Sequence, residues 1–340
     1  MRKLRVLALM HEALVPPDNP GDVDLATVEW KTEFDVTTTL RDMGHEVRSV
    51  GVRDDLEGIQ KAIQEFKPHI AFNLLEEFNG LGSFDQNVVS YLELLGVRYT
   101  GCNPRGLVLT RDKGWSKKIL TYHGILCPEF VVFPHGRAVK WNNDIPFPVI
   151  VKSISEEASL GISQASIVND AEKLEERVKF IHDSVGSSAI VEQFIEGREL
   201  YVGVLGNKRL QVFPVWELIL NNLPEDVHRV ATQRVKWSVK YQKKYGITSQ
   251  EAKDLTKSMM QKMKRLAKRA YGILGLNGYA RLDFRLDKDG NLYFLEANPN
   301  AQIAYGEDLA ESAEHAGMSY EQLLQCIVNL GLRWKPEHVR

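Results

Sequence analysis

Apolar residues recur along the chain with two different periods. In the first hundred residues, short apolar runs are separated by stretches with an apolar side chain every third or fourth position. Residues 4–10 predict a buried strand, 29–43 a helix closed by Gly44, and 45–52 a strand apolar at alternate positions. Residues 55–66 predict a helix ended by Lys67-Pro68 and 69–75 a continuous apolar strand. Residues 83–95 predict a helix stopped by Gly96, and 97–100 a short strand. Strands alternating with helices of about 10–15 residues predict a parallel sheet wrapped by helices.

Beyond residue 105 the pattern changes. Residues 113–123 predict a helix, and 130–133, 149–152, 162–168, 189–194, 200–205 and 210–218 predict strands, several joined by short turns. A helix over 170–184 interrupts them, which makes this part antiparallel α+β. Residues 219–248 are polar, basic and weakly periodic, and predict a long excursion over the surface. A long helix is expected over 249–274, where Met259, Met260, Met263, Leu266 and Ala270 form a stripe that reads as core packing. Residues 278–298 predict a hairpin and 319–330 a closing helix. The expected division is an N-terminal α/β domain over 1–105, a central lobe over 106–192 and a C-terminal lobe over 193–340.

Charge and cysteine content narrow the class. Forty-three Lys and Arg against forty-five Asp and Glu give a net charge of −2 in 340 residues, which argues against a nucleic-acid binder. Cys102, Cys127 and Cys326 lie far apart and form no C-x-x-C, so reduced thiols are expected rather than a zinc site or a disulfide frame. The apolar start of the chain stops at His11-Glu12, too soon for a signal peptide. No run reaches the roughly 18 apolar residues of a membrane span. A cytoplasmic protein without membrane partners is the expectation.

The chain has no G-x-x-x-x-G-K-[ST] phosphate loop, no G-x-S-x-G elbow and no H-E-x-x-H. Gly80-Leu-Gly82 reads as a tight turn rather than a dinucleotide loop, since a third glycine is missing. The strongest constellation lies in the hairpin. Asp289-Gly290 is a turn signal. A two-residue turn there pairs Arg281 with Asn298 and Asp283 with Glu296. A four-residue loop over 287–290 shifts the pairing by two and leaves these residues on the same face. Opposed carboxylates repel, so something positive must sit between them. Two carboxylates and an amide oxygen beside an arginine suit Mg²⁺ held jointly with nucleotide phosphates. A solvated sheet face is the plain alternative, and the interleaved Leu282, Phe284 and Leu295 argue against it.

These residues resemble the ATP-grasp superfamily, and within it the D-alanine–D-alanine ligase family. There one strand carries Arg and Asp two apart and the next ends in Glu-x-Asn, as Arg281, Asp283, Glu296 and Asn298 do here. Phe147-Pro-Val-Ile-Val-Lys152 resembles the strand whose lysine touches the nucleotide phosphates, and Lys113 resembles a second phosphate lysine. The segment Glu192-Gln193-Phe194-Ile195-Glu-Gly-Arg-Glu199 resembles the hinge that binds adenine near its first glutamate and ribose at its second. Ser159 falls in a segment resembling the small-residue loop over the phosphates, and Lys240-Tyr241 resembles a Lys-Tyr pair on a mobile loop. The resemblance spans about residues 4–330. It implies an α/β fold in which a parallel-sheet domain precedes a two-lobed ATP-grasp domain. It further implies ATP, two Mg²⁺ ions (Mn²⁺ able to substitute), catalytic roles for Arg281, Lys240 and Tyr241, and a homodimer.

The substrate segments depart from the family. Its first-strand loop ends in a glutamate that holds an amine. Here the loop reads His11-Glu12-Ala-Leu-Val-Pro-Pro-Asp18, with Glu12 the one substitute. The loop after the third strand carries Glu76 and Glu77. After Asn298 the family has Pro-Gly and serines, whereas this chain has Pro299-Asn300-Ala-Gln302-Ile-Ala-Tyr305-Gly-Glu307. Glu12, Glu76, Glu77, Tyr305 and Glu307 are therefore the substrate-side candidates. The expected activity is an ATP-dependent ligase joining a small carboxylate to an amine, a peptide among the options, through an acylphosphate. The rivals are a genuine D-alanine–D-alanine ligase, an ATP-grasp kinase, and a non-catalytic nucleotide-binding module.

Overall fold

A computed structural model of the chain describes residues 3–25, 27–155, 161–220, 222–224 and 227–336. The first segment forms β1 (Arg5–His11), α1 (Lys31–Asp42), β2 (Glu46–Val52), α2 (Glu57–Phe66), β3 (Ile70–Asn73) and α3 (Asp85–Leu94). The sheet is parallel, in the order β2-β1-β3. Its central strand is buried on both faces, as a parallel sheet covered by helices requires. Leu7 and Leu9 enter one core, Leu4 and Val6 another. The strand expected at 97–100 is reduced to a single bridge, Tyr99 beside Ala71.

Helices α4 (Pro104–Arg111) and α5 (Lys113–Tyr122) follow. Asn103 caps the first by accepting from the Gly106 N–H, with Pro104 in the opening turn. Asp112 caps the second by accepting from the Trp115 N–H. The central lobe adds β4 (Phe130–Phe133), β5 (Val149–Ser153), β6 (Ile167–Val168), α6 (Ala171–Phe180) and β7 (Ala189–Gln193), with sheet order β4-β7-β5-β6. The strand expected over 162–168 shortens to its last two residues. Ser163 and Ser166 make a reciprocal capping box that turns residues 164–166 into a single 3₁₀ turn. The helix expected to reach 184 ends at Phe180 and widens into a π turn over Ile181–Val185.

The last lobe contains β8 (Arg198–Leu205), β9 (Gln211–Ile219), α7 (Gln233–Trp237), α8 (Val239–Tyr245), β10 (Thr248–Glu251) and α9 (Lys257–Ile273). It continues with β11 (Tyr279–Leu286), β12 (Leu292–Pro299), α10 (Asp308–His315) and α11 (Tyr320–Arg333). The sheet is antiparallel, β10-β9-β8-β11-β12. The excursion over 219–248 thus holds two short helices. The helix expected from 249 starts at Lys257, capped by Thr256, because residues 248–251 pair with β9. Met263, Ala267 and Ala270 of α9 are fully buried. Among the described residues, no helix is long and apolar enough to cross a membrane.

Candidate active site

The site is built on β11 and β12. Arg281 faces Asn298 and Asp283 faces Glu296, the register read from the sequence. The turn differs from both expected lengths. Asp287 pairs with Asn291 through its N–H, and its carboxylate accepts from the Asp289 and Asn291 N–H groups, which leaves a three-residue loop. That loop pairs Phe284 with Phe294, one position out of step with the site. A β-bulge at Leu295 absorbs the offset. The Leu295 carbonyl accepts from Lys117 Nζ.

The positive charge required between the opposed carboxylates is present. Arg281 donates twice to Asp283, at 2.8 and 3.0 Å, and stacks over the Tyr201 ring at 4.6 Å. Lys113 Nζ lies 3.6 Å from Glu296. Burial raises the Asp283 carboxyl to about 6, and Glu296 adds to this against the pull of Arg281. Burial also acts upward on Glu296, but Lys113, Lys236, Lys152 and Lys117 together bring it down to about 2. Facing carboxylates have thus been driven apart. Asn298 donates through Nδ2 to Asp283 at 3.1 Å. Two carboxylates and an amide are hard-oxygen ligands that fit Mg²⁺ only with further oxygens from a phosphate chain. No group of three His, Cys, Asp or Glu able to hold a metal occurs among the described residues.

Behind this pair lies a cavity of about 60 Å³ lined by Lys113, Lys152, Lys236, Glu192, Glu199 and Arg285, among others. Gln193, Phe194 and Ile195 also line it. Glu192 is fully buried, with Lys152 at 3.0 Å and Lys117 at 3.1 Å. Burial would raise its pKa, but the two lysines lower it below the usual carboxylate range. Its Oε1 makes an ion pair with Lys117 but no hydrogen bond. Glu199 accepts from the Tyr201 hydroxyl at 2.9 Å and from Arg285 at 2.7 Å.

Next to it is a second cavity, of about 330 Å³, walled by Glu76, Arg281, Asn298, Asn300, Gln302, Glu307, Asp308, Lys236 and Trp237, among others. Asn300 adopts φ 56°, a left-handed conformation asparagine tolerates. Its Oδ1 accepts from the Cys102 N–H at 2.7 Å. Glu307 stands at the N-cap of α10, yet its side chain caps nothing. Burial and the neighbouring Asp308 raise its pKa.

Several expected residues fall elsewhere. Glu12 is exposed beside Arg53 at 3.2 Å, and Glu77 pairs with His11 at 3.3 Å, so both are engaged outside the two cavities. The Tyr305 side chain is 57% exposed and meets Tyr320 edge-on. Its backbone is held by α1, with its N–H on Asp35 and its carbonyl on Lys31. Lys240 is exposed on α8, and Tyr241 packs against Tyr245 and the cluster of Leu220, Leu223, Val235 and Ile247; neither lines the two cavities. Lys236, one helical turn earlier in the sequence, lines both cavities instead. Ser159 lies outside the described residues. Lys117, Lys236 and Arg285 were not singled out by the sequence. Lys117 carried a signal, four residues from Lys113 on one helix face. So did Arg285, two and four residues from Asp283 and Arg281 on one strand face.

A parallel-sheet domain joined to two antiparallel lobes that enclose a lysine-lined cavity defines the ATP-grasp architecture, whose enzymes in this branch are ATP-dependent C–N ligases. The chain superposes on a D-alanine–D-alanine ligase from Bacillus anthracis complexed with ATP. The TM-score is 0.75 at 22% identity, over 97% of this chain and 98% of that one. Residues 119–329, more than half of the chain, match the family described as D-ala D-ala ligase C-terminus. A D-alanine–D-alanine ligase of Desulforudis audaxviator is 30% identical over 87% of this chain and 90% of its own length. One from Rhizorhabdus wittichii is 29% identical over 90% and 95%. The chain belongs to the D-alanine–D-alanine ligase family.

Proposed function

We propose that this chain joins a carboxylic acid to an amine at the expense of ATP. The observation that carries this is the pair Asp283–Glu296, held on one face with Arg281 and backed by Lys113 and Lys152. The working division is residues 1–105, 106–192 and 193–340. The adenosine sits along residues 192–199, with the base near Glu192 and Glu199 beside the ribose. Lys113 and Lys152 take the phosphates. Asp283, Glu296 and Asn298 hold Mg²⁺, which when bound spreads the charge of the transferring phosphoryl group. The substrate carboxylate attacks the γ-phosphorus, giving an acylphosphate and ADP. The amine then attacks the acyl carbon and phosphate leaves. Arg281, released from Asp283, stabilises the oxyanion. Lys236 and Trp237, at the end of α7, exclude water from the acylphosphate. A nucleotide-binding module would need no such pairing of a metal set with an arginine. ADP release measured across a panel of acids and amines tests the reading. Turnover requires both partners, and release with an acid alone would indicate a kinase.

The acceptor cavity supports a product other than D-alanyl-D-alanine. Its wall carries Glu76, Glu307 and Asp308 beside Arg281 and Lys236, and Glu307 has no cation paired to it among the described residues. A carboxylate brought against Glu307 is repelled, whereas an ammonium or guanidinium is favoured.

A further inference from the structure

The segment before α7, residues 227–232, crosses the mouth of the nucleotide cavity as a strap. Val230 and Ala231 line the cavity and are each 5% exposed. The strap is tied to both lobes. From the central lobe, Gln164 makes a reciprocal pair with the His228 backbone. The His228 N–H donates to Gln164 Oε1 at 3.0 Å, and Gln164 Nε2 donates to the His228 carbonyl at 2.9 Å. The Gln233 N–H donates to the Ile162 carbonyl at 3.0 Å. The His228 ring stands edge-on to Phe194 at 5.3 Å.

From the other lobe Arg285 holds the strap. Arg285 Nη1 donates to the Arg229 carbonyl at 2.9 Å and to the Gly197 carbonyl at 3.3 Å. Its Nη2 donates to Glu199 Oε2 at 2.7 Å. Arg285 is 4% exposed and directly opposes Glu199 across β11 and β8. A guanidinium suits this task because its planar fork serves several acceptors at fixed angles, which an ammonium cannot. The cavity encloses about 60 Å³. Ligand sites usually offer about 300 Å³ or more, so the strap or the lobes must move for a nucleotide to enter.

We infer that Arg285 is the positioning residue that couples ribose recognition to closure of the strap. It fixes the Glu199 carboxylate against the ribose and, through the same guanidinium, holds the strap over the nucleotide. This rests on the placement of the ribose at Glu199 proposed above. The ribose hydroxyls are read well only while Arg285 orients Glu199, and a nucleotide that engages Glu199 favours the closed strap.

Calorimetric titration with Mg²⁺-ATP and Mg²⁺-2′,3′-dideoxy-ATP tests the inference. The wild type binds ATP roughly ten- to a hundredfold more tightly than the dideoxy nucleotide, as expected for hydrogen bonds to a charged group. In Arg285→Met, ATP binding weakens at least tenfold and the preference falls to within about threefold. Arg285→Lys retains an intermediate preference and serves if the methionine variant does not fold. Gln164→Ala loosens the strap without touching Glu199, so by reciprocity it weakens ATP more than the dideoxy nucleotide and lowers the preference, though less than Arg285→Met does. A full preference retained in Arg285→Met or Arg285→Lys overturns the inference, as does a preference unchanged in a Gln164→Ala protein whose ATP binding is weakened. Equal affinities in the wild type remove the ribose placement itself, and the inference with it.

Discussion

Around the nucleotide cavity, carboxylates face cations: buried Glu192 meets Lys117 and Lys152, buried Glu199 meets Arg285, and half-buried Glu296 meets Lys113. The acceptor cavity is organised differently. Asp308 shares Arg281 at 3.7 Å, while the Glu307 carboxylate forms no hydrogen bond or ion pair among the described residues. Helix α1, which holds the acceptor segment through Tyr305, carries buried Glu33 with its Oε2 unpartnered among the described residues. The first cavity pairs these carboxylates with cations, whereas the second, which also holds Arg281 and Lys236, leaves Glu307 without such a pair among the described residues. Under the proposed function the contrast teaches that a nucleotide site follows a charge pattern, whereas a substrate site depends on a few side chains of one irregular segment.

The contrast can be broken first at Glu192. Glu192→Ala leaves Lys117 and Lys152 buried without their partner, which costs about 3–5 kcal/mol of stability in urea unfolding. A loss below about 1 kcal/mol would mean the lysines find water, and the cavity is not the dry, charge-matched site described. Next in size is Glu296→Gln. It lowers kcat for ADP formation by at least about 10²–10³ and also lowers stability at neutral pH, because the lysines that hold the carboxyl down to about 2 lose its charge.

Glu33 gives the opposite sign. Burial raises its carboxyl from the ordinary 4.5 to about 7. Because the folded-state pKa lies above the unfolded one, its contribution favours folding below about pH 4.5 and is lost as the pH rises through 7. Glu33→Gln therefore stabilises the protein at pH 8 by at most about 3 kcal/mol, and the gain vanishes near pH 4. Equal stability of the two proteins across this range would show that Glu33 is solvated. The smallest effect distinguishes two lysines on the excursion. Lys236→Ala lowers kcat roughly tenfold or more, whereas Lys240→Ala changes it less than twofold, since Lys240 points to solvent.

The legible part of the site was the part fixed by period. Arg281, Asp283, Glu296 and Asn298 share a face because strand side chains alternate, and neither of the two expected turns changes that; the three-residue loop would move Glu296 and Asn298 to the other face without the bulge. The turn itself was not legible. The Asp287 carboxylate selects a three-residue loop by side-chain hydrogen bonds, and the bulge at Leu295 then restores the register. Lys236 lies in an irregular stretch without period, where Lys240-Tyr241 offered the more familiar pattern. Glu12 and Glu77 looked available because spacing cannot show that Arg53 and His11 already take them. The switch from a parallel to antiparallel sheets was readable from the change of pattern near residue 105. The bridge at Tyr99 and the 3₁₀ turn over 164–166 depend on tertiary pairing and local caps.

The most direct test of the contrast between the two halves is incubation of the enzyme with ATP, Mg²⁺ and D-alanine as the only amino acid, with ADP and products followed by mass analysis. A nucleotide half kept for catalysis and an acceptor half rewritten for a cationic group predict no stoichiometric ADP and no dipeptide under these conditions. They also predict turnover when an acid is supplied with an amine whose acceptor end lacks a carboxylate. Stoichiometric ADP and D-alanyl-D-alanine at millimolar D-alanine would contradict the account and give this chain the substrate of its named relatives.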